Sequence, residues 1–296
     1  MSLFGFLCCN KPPGMTSRDV VNIVQRRLRR EGHSKRVKVG HAGTLDPLAE
    51  GVLVVAIGPA SRLVPFVQQQ PKHYRATFLL GQSTDSGDLE GEINHFPELP
   101  PPSRRQIDQA AAGLVGTIQQ TPPAHSAIWV DGQRAYKRVR SGESVQMPSR
   151  TVQVRSLDVL RYEFPELDLD IVCGSGTYIR SIGMDLAIAA GSVAVMSHLV
   201  RVAIGPFVID DAVTVDQLSE DDLPSMVLPP TMGVGHLPQI KIDDVDTERL
   251  GHGKSIVGDP GEVEAAALTP DGRLRAIVRW KEDAWYPSRV FPIEQQ

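Results

Sequence analysis

The stretch GHAGTLDPLAEGVL, Gly40 to Leu53, constrains the local fold more than any other part of the chain. Pro47 lacks a backbone donor and pushes Asp46 out of helical geometry, so the segment does not read as a continuous helix. Glycines at positions 40, 43 and 51 permit close backbone approach and unusual torsions. The apolar run Val52 to Gly58 that follows reads as a buried strand. A stiff, polar, glycine-rich turn against a core strand is a place where a reactive side chain is held still. Local chemistry alone leaves two roles open for the Asp46 carboxylate: capping nearby N–H groups as an Asx turn, or acting in catalysis.

Charge bears on which role applies. The 296-residue chain carries a formal charge of −4, which taken alone argues against a nucleic-acid partner. The distribution argues otherwise: RRLRREGHSKRVK, Arg26 to Lys38, holds seven Lys or Arg residues and one acid, and ends two residues before the Asp46 stretch. A basic strip beside a candidate active site suits a polyanionic substrate. Hydrophobic residues at 41% and charged residues at 22% are ordinary for a globular protein with a sizeable core. Three cysteines, Cys8, Cys9 and Cys173, form neither a disulfide framework nor a metal-ligand spacing. The apolar run Leu3 to Cys9 lacks a basic flank and a cleavage pattern, and no run approaches a membrane span. A soluble cytoplasmic protein is expected.

Thr16 and Asp19 have capping-box spacing, and Val20, Ile23, Val24 and Leu28 share one face of the helix they open. Tyr74 to Gly81 alternates like a strand. A second helix is predicted with Ile107, Ala110, Ala111, Leu114 and Ile118 on one face. A polar, basic insertion near residues 122–150, with Arg134, Lys137, Arg138 and Arg140, has no apolar face and reads as mobile. Two strands and the helix TYIRSIGMDLAIAAG, ended by Gly191, come next. Proline and glycine crowd Leu223 to Gln239, a candidate linker before a small β module.

Other motifs fail. GHGKS, Gly251 to Ser255, lacks the first P-loop glycine, whose place Glu248 holds, and the GSG at Gly174 has Ile179 at the third glycine position of a dinucleotide fingerprint. The eight histidines show no ligand spacing, so no metal site is expected. DSGDLEGE, Asp85 to Glu92, lacks the EF-hand pattern and reads as a solvated turn.

The Asp46 stretch closely resembles the signature of the TruB family of tRNA pseudouridine synthases, G-H-x-G-T-L-D-P-x-A-x-G-x-L. Four further segments agree in order: NKPPGMTS, YRATFLLGQSTDSGDLEG, PPAHSAIWVDGQRAYKRVRSG and CGSGTYIRSIGMDLA. The resemblance implies an α/β (mixed α+β) pseudouridine synthase fold, with a large mixed, mainly antiparallel sheet flanked by helices. It implies a catalytic domain over residues 1–232 and, through LGHGKSIV and GRLRAIVRW, a PUA-like RNA-binding β domain over 240–296.

The implied reaction isomerises the T-loop uridine of tRNA, position 55 by convention. The N1–C1′ bond breaks, the base turns, and C5 is joined to C1′. Donor and acceptor are one nucleotide, so no cofactor and no metal is implied. The implied partner is the tRNA T arm, with no membrane association, and the protein is expected to be a monomer. By resemblance Asp46 is the nucleophile, and its point of attack (C1′, C6, or the C2′ proton) stays open. Arg180 matches the arginine that pairs with the catalytic carboxylate, and Tyr74 the aromatic that stacks on the target base and assists proton removal at C5. Tyr178 and Leu199 match pocket positions, and His41 the histidine that enters the T loop as bases are extruded. Lys11 matches a lysine near the site with a supporting role. Two departures stand out: GPASR, Gly58 to Arg62, replaces the usual G-x-A-T-K, and Val200 precedes Arg201 where paired arginines are common.

Three other readings compete. A guide-RNA-dependent relative typically lacks the basic insertion. A non-catalytic tRNA-folding protein would not need Asp46, Tyr74 and Arg180 together. A small-molecule glycosidase would want a second carboxylate and no basic strip.

Overall fold

The computed structural model describes residues 3–34, 36–123, 129–130, 133–134, 147–220, 222–260 and 263–293. Most of the insertion near 122–150, with its basic side chains, lies outside the described residues. Within it, Trp129–Val130 pairs antiparallel with Gln133–Arg134. The chain forms two compact units. One comprises residues 1–47, 51–70 and 205–296; the other comprises residues 48–50 and 71–204.

In the first unit the strand Gly5–Lys11 pairs antiparallel with Glu50–Ile57, which also pairs with the short strand Val39–His41. The helix Ser17–Arg30 starts where its sequence predicts. Thr16 Oγ1 accepts the Asp19 N–H at 3.2 Å, and the Asp19 carboxylate accepts the Thr16 N–H at 2.9 Å. It buries Val20, Val21, Val24 and Leu28 against Leu7 and Cys9 of one strand and Leu53, Val55 and Ile57 of the other.

The same unit carries a four-stranded module. Gln239–Lys241 runs parallel to Glu264–Leu268, and Leu274–Lys281 and Ala284–Val290 follow antiparallel. Ile242, Leu250, Ile256, Val278 and Trp285 are part of its own core. Phe291 stacks on Phe4 at 5.4 Å between ring centroids, with the Arg62 guanidinium 5.1 Å from its ring. Arg289 lies 4.8 Å over Phe66. These contacts fasten the module to the N-terminal part of its unit. The proline- and glycine-rich passage before it carries two 3-10 helices, Leu223–Met226 and Pro230–Val234, and buries Leu223 and Val234.

The second unit is built on antiparallel strands in the order Ala194–Ile204, Lys72–Leu80, Glu166–Cys173, Arg150–Glu163, Gly116–Gln120. Helices Arg104–Gly113 and Ile179–Ala189 pack together and on this sheet. Gly183 allows the close approach, because a Cβ there would stand 2.0 Å from the Phe78 ring. One expectation is corrected. Ile118 does not continue the helix face, because the chain turns at Gly116, with φ +109°, and places Ile118 in a strand.

Candidate active site

Asp46 is half-buried in a turn fixed from three directions by Lys11 at the end of the first strand, Gly14 in the loop after it and Ser17 at the start of the first helix. Ser17 brackets its neighbour Leu45: the Leu45 N–H donates to Ser17 Oγ at 2.8 Å, and the hydroxyl donates to the Leu45 carbonyl at 3.0 Å. The Gly14 N–H reaches the Pro47 carbonyl at 2.8 Å, from a glycine at φ +81°. Lys11 is buried, and its ammonium donates to the carbonyls of Met15 at 2.7 Å, Pro12 at 2.9 Å and Pro47 at 3.3 Å. A buried ammonium with several carbonyl acceptors is compensated, and here it ties the loop to the turn. On the far side the Ala42 N–H bonds the Val54 carbonyl at 2.8 Å, and His41, half-buried, ends the Val39–His41 strand.

In the second unit Tyr74 is buried on the strand Lys72–Leu80, opposite Ile171 on one side and Arg201 on the other. Leu199, also buried, sits opposite Ala76, so alternation sets Leu199 and Tyr74 on the same sheet face. That face continues to Lys72, whose ammonium donates to Ser175 Oγ at 3.1 Å. Burial, and next the nearby Arg201 charge, push the Lys72 pKa down to about 8.

Tyr178 is the N-cap residue of the helix Ile179–Ala189. The buried Gln120 amide grips its backbone, accepting the Tyr178 N–H at 2.7 Å and donating to its carbonyl at 3.0 Å. The Arg150 guanidinium lies 4.6 Å from the Tyr178 ring centroid. Arg180 is buried on the same helix, and its Nη1 donates to the Ser86 carbonyl at 2.7 Å and to the Asp88 carboxylate at 3.0 Å. Asp88 is itself buried and accepts the Ser86 hydroxyl at 2.6 Å and the Glu90 N–H at 3.2 Å.

This overturns the reading of DSGDLEGE as a solvated turn. Its aspartate is a buried ionic partner of Arg180, because Gly87, at φ +74°, folds the turn inward onto Met184 and Arg180. Ser17, Gln120 and Arg150 were likewise given no role by sequence. Ser17 sits inside a segment that carried the resemblance, a usable signal, whereas Asp88 and Gln120 act across separations of 92 and 58 positions. Among the described residues no group of three or more His, Cys, Asp or Glu side chains is placed to hold a metal ion.

The family described as TruB family pseudouridylate synthase (N terminal domain) matches residues 29–179. A protein of Rhodopirellula baltica named tRNA pseudouridine synthase B is 40% identical, with 99% of this chain and 96% of the relative covered. One of the same name from Corynebacterium efficiens is 39% identical over 94% of this chain and 92% of the relative. Among solved structures, a chain in a Cbf5-Nop10-Gar1 complex superposes with TM-score 0.74 at 26% identity, covering 97% of this chain and 84% of that one. A chain in an H/ACA RNP bound to a substrate RNA containing 2′-deoxyuridine gives 0.73 at 25% identity, covering 98% and 86%. Family model and curated relatives agree on the class, pseudouridine synthase. The chain belongs to the TruB family of pseudouridylate synthases.

Proposed function

We propose that this protein is a stand-alone tRNA pseudouridine synthase that isomerises the T-loop uridine at position 55, working as a cytoplasmic monomer. The observation that carries the reading is the immobilised Asp46 turn, in a chain 40% identical over nearly its whole length to a protein named tRNA pseudouridine synthase B. Cleaving N1–C1′ develops positive charge on the ribose, which a fixed carboxylate stabilises or captures. Rejoining through C5 releases the C5 proton, N1 takes up a proton in its place, and the carboxylate is regenerated. Atoms and electrons balance within one nucleotide, so the step is redox-neutral and calls for no co-reactant.

In this reading Tyr74 stacks on the base, Tyr178 and Leu199 line its pocket, and His41 supports the vacated space in the loop. Arg180 pairs with the catalytic carboxylate, and Asp88 holds Arg180 in place. Lys11 keeps the turn rigid. Residues 1–232 form the catalytic domain and 240–296 the RNA-binding module. Among the described residues no helix is long and apolar enough to cross a membrane.

The test is incubation of purified protein with unmodified tRNA transcript and no other RNA, followed by mapping of pseudouridine. Conversion at the T-loop uridine is expected. Conversion only after a guide RNA is added would overturn the stand-alone reading.

A further inference from the structure

The helix Ser17–Arg30 has one face that core packing does not explain. Opposite the buried Val20, Val21, Val24 and Leu28, it presents Arg18, Arg26, Arg29 and Arg30 to solvent. Among the described residues none of the four guanidinium groups has a hydrogen bond or ion pair. Asn22 and Gln25 line a shallow depression between Asp19, Arg26 and Arg29. The acids nearby are already engaged: Asp19 in the capping box with Thr16, Glu31 with Arg27 at 2.7 Å. Arg27 points elsewhere, with Nη1 on the Ser219 carbonyl at 2.8 Å.

Helix stability accounts for only part of this face. Cations favour the last turn of a helix, where Arg29 and Arg30 stand, but Arg18 stands in the first turn, where the dipole opposes it. Arg26 lies four residues from Arg30 and three from Arg29, and like charges at those spacings destabilise an isolated helix. The repulsion among these crowded like charges is relieved when a polyanion lies on them.

The position of the face identifies the polyanion. Ser17, which brackets Leu45 and so fixes the Asp46 turn, is immediately followed by Arg18. From Arg18 to Arg30 the helix rises about 18 Å. The arginine ridge therefore begins beside the candidate nucleophile's turn and leads away from it. We infer that it is a docking track for the sugar–phosphate backbone of the substrate RNA, flanking the nucleotide that reacts at Asp46. This rests on the pseudouridine synthase reading and extends it to residues outside the site. Guanidinium groups suit phosphates by geometry as well as charge, and phosphate contacts fix register without reading sequence.

The test is the salt dependence of binding of unmodified tRNA transcript to the full chain. Replacing Arg18, Arg26, Arg29 and Arg30 together by Gln removes the ridge charge. The slope of log affinity against log salt should become shallower by about 3, with affinity at low salt falling by more than about tenfold. Arg161→Gln serves as control, because Glu166 and Asp168 already neutralise that arginine, and it should leave the slope as it was. If the quadruple variant is not folded by circular dichroism, Arg26→Gln with Arg29→Gln should give about half the change in slope. A folded ridge variant with wild-type affinity and slope overturns the inference and leaves the face to a different partner, such as an acidic protein. The pseudouridine reading fails separately: wild-type protein would then bind tRNA through the ridge yet form no pseudouridine.

Discussion

Around Asp46 the fixing contacts run to the backbone: a hydroxyl brackets Leu45, an N–H and an ammonium hold the Pro47 carbonyl. Around Arg180 the decisive contact joins two buried charges, Asp88 and the guanidinium, with Ser86 supporting both. The first arrangement draws on residues within 36 positions of one another; the second spans more than 90. Backbone-directed contacts between mostly neutral groups are individually modest and can be lost one at a time. A buried ion pair is lost in one step, because removing either charge takes away the other's buried charged partner. The Asp46 turn should therefore weaken gradually under mutation, and the Arg180 cradle abruptly.

The largest effect expected is on chemistry. Asp46→Asn preserves the shape of the turn but removes the charge and nearly all nucleophilicity. Pseudouridine formation should fall by more than about 10⁴-fold, while tRNA binding survives. Tritium release from C5-labelled uridine and filter binding measure the two together. Substantial release by the Asn variant would end the nucleophile assignment.

Next is the cradle. Asp88→Asn removes a buried charged partner of Arg180, and stability should fall by about 3–5 kcal/mol in urea melts. Pairing it with Arg180→Met should recover much of that loss without restoring activity. A single variant as stable as wild type would show that the ion pair is not what holds this helix.

Ser17→Ala tests the other half of the comparison. Removing the hydroxyl leaves the Leu45 N–H and carbonyl without that partner, and stability should drop by only about 1–3 kcal/mol. Turnover should fall more than binding, by up to about 10²-fold, since a small shift of the turn misplaces the carboxylate. A Ser17→Ala loss as large as that of Asp88→Asn would erase the contrast between the two regions.

The smallest effect concerns Lys72, pushed down to about 8 from its ordinary 10.5 by burial and then by Arg201. Between those values the unfolded chain keeps a proton that the folded one has released, so this group makes stability rise with pH. Its strand neighbour Cys173, pushed up to about 11 from 9.0 chiefly by burial, acts in the opposite sense between those limits. Comparing wild type with Lys72→Met at pH 7.5 and 10 isolates the lysine. The stability difference should move in favour of wild type at the higher pH, and a pH-independent difference would refute the burial argument.

Local elements were legible because their causes are local. The Thr16–Asp19 spacing sets the start of the first helix, Pro47 with its flanking glycines sets the turn, and alternation along Lys72–Leu80 sets which side chains share the Tyr74 face. The family motifs single out Asp46, Tyr74 and Arg180 as candidate site residues. Ile118 reads as helical from sequence because a helix period fits it as well as a strand period does, and only pairing with Val152 settles the choice. The acid at Asp88 looked like a solvated turn because glycine, serine and aspartate compose both kinds of turn. Its burial depends on a helix that arrives some ninety residues later and brings Arg180 to it. Sequence by itself determined which groups the chain carries and the torsions available next to them. Tertiary structure alone decided which distant groups would meet, since desolvating Asp88 and Gln120 is tolerable only where partners from other segments are already in place.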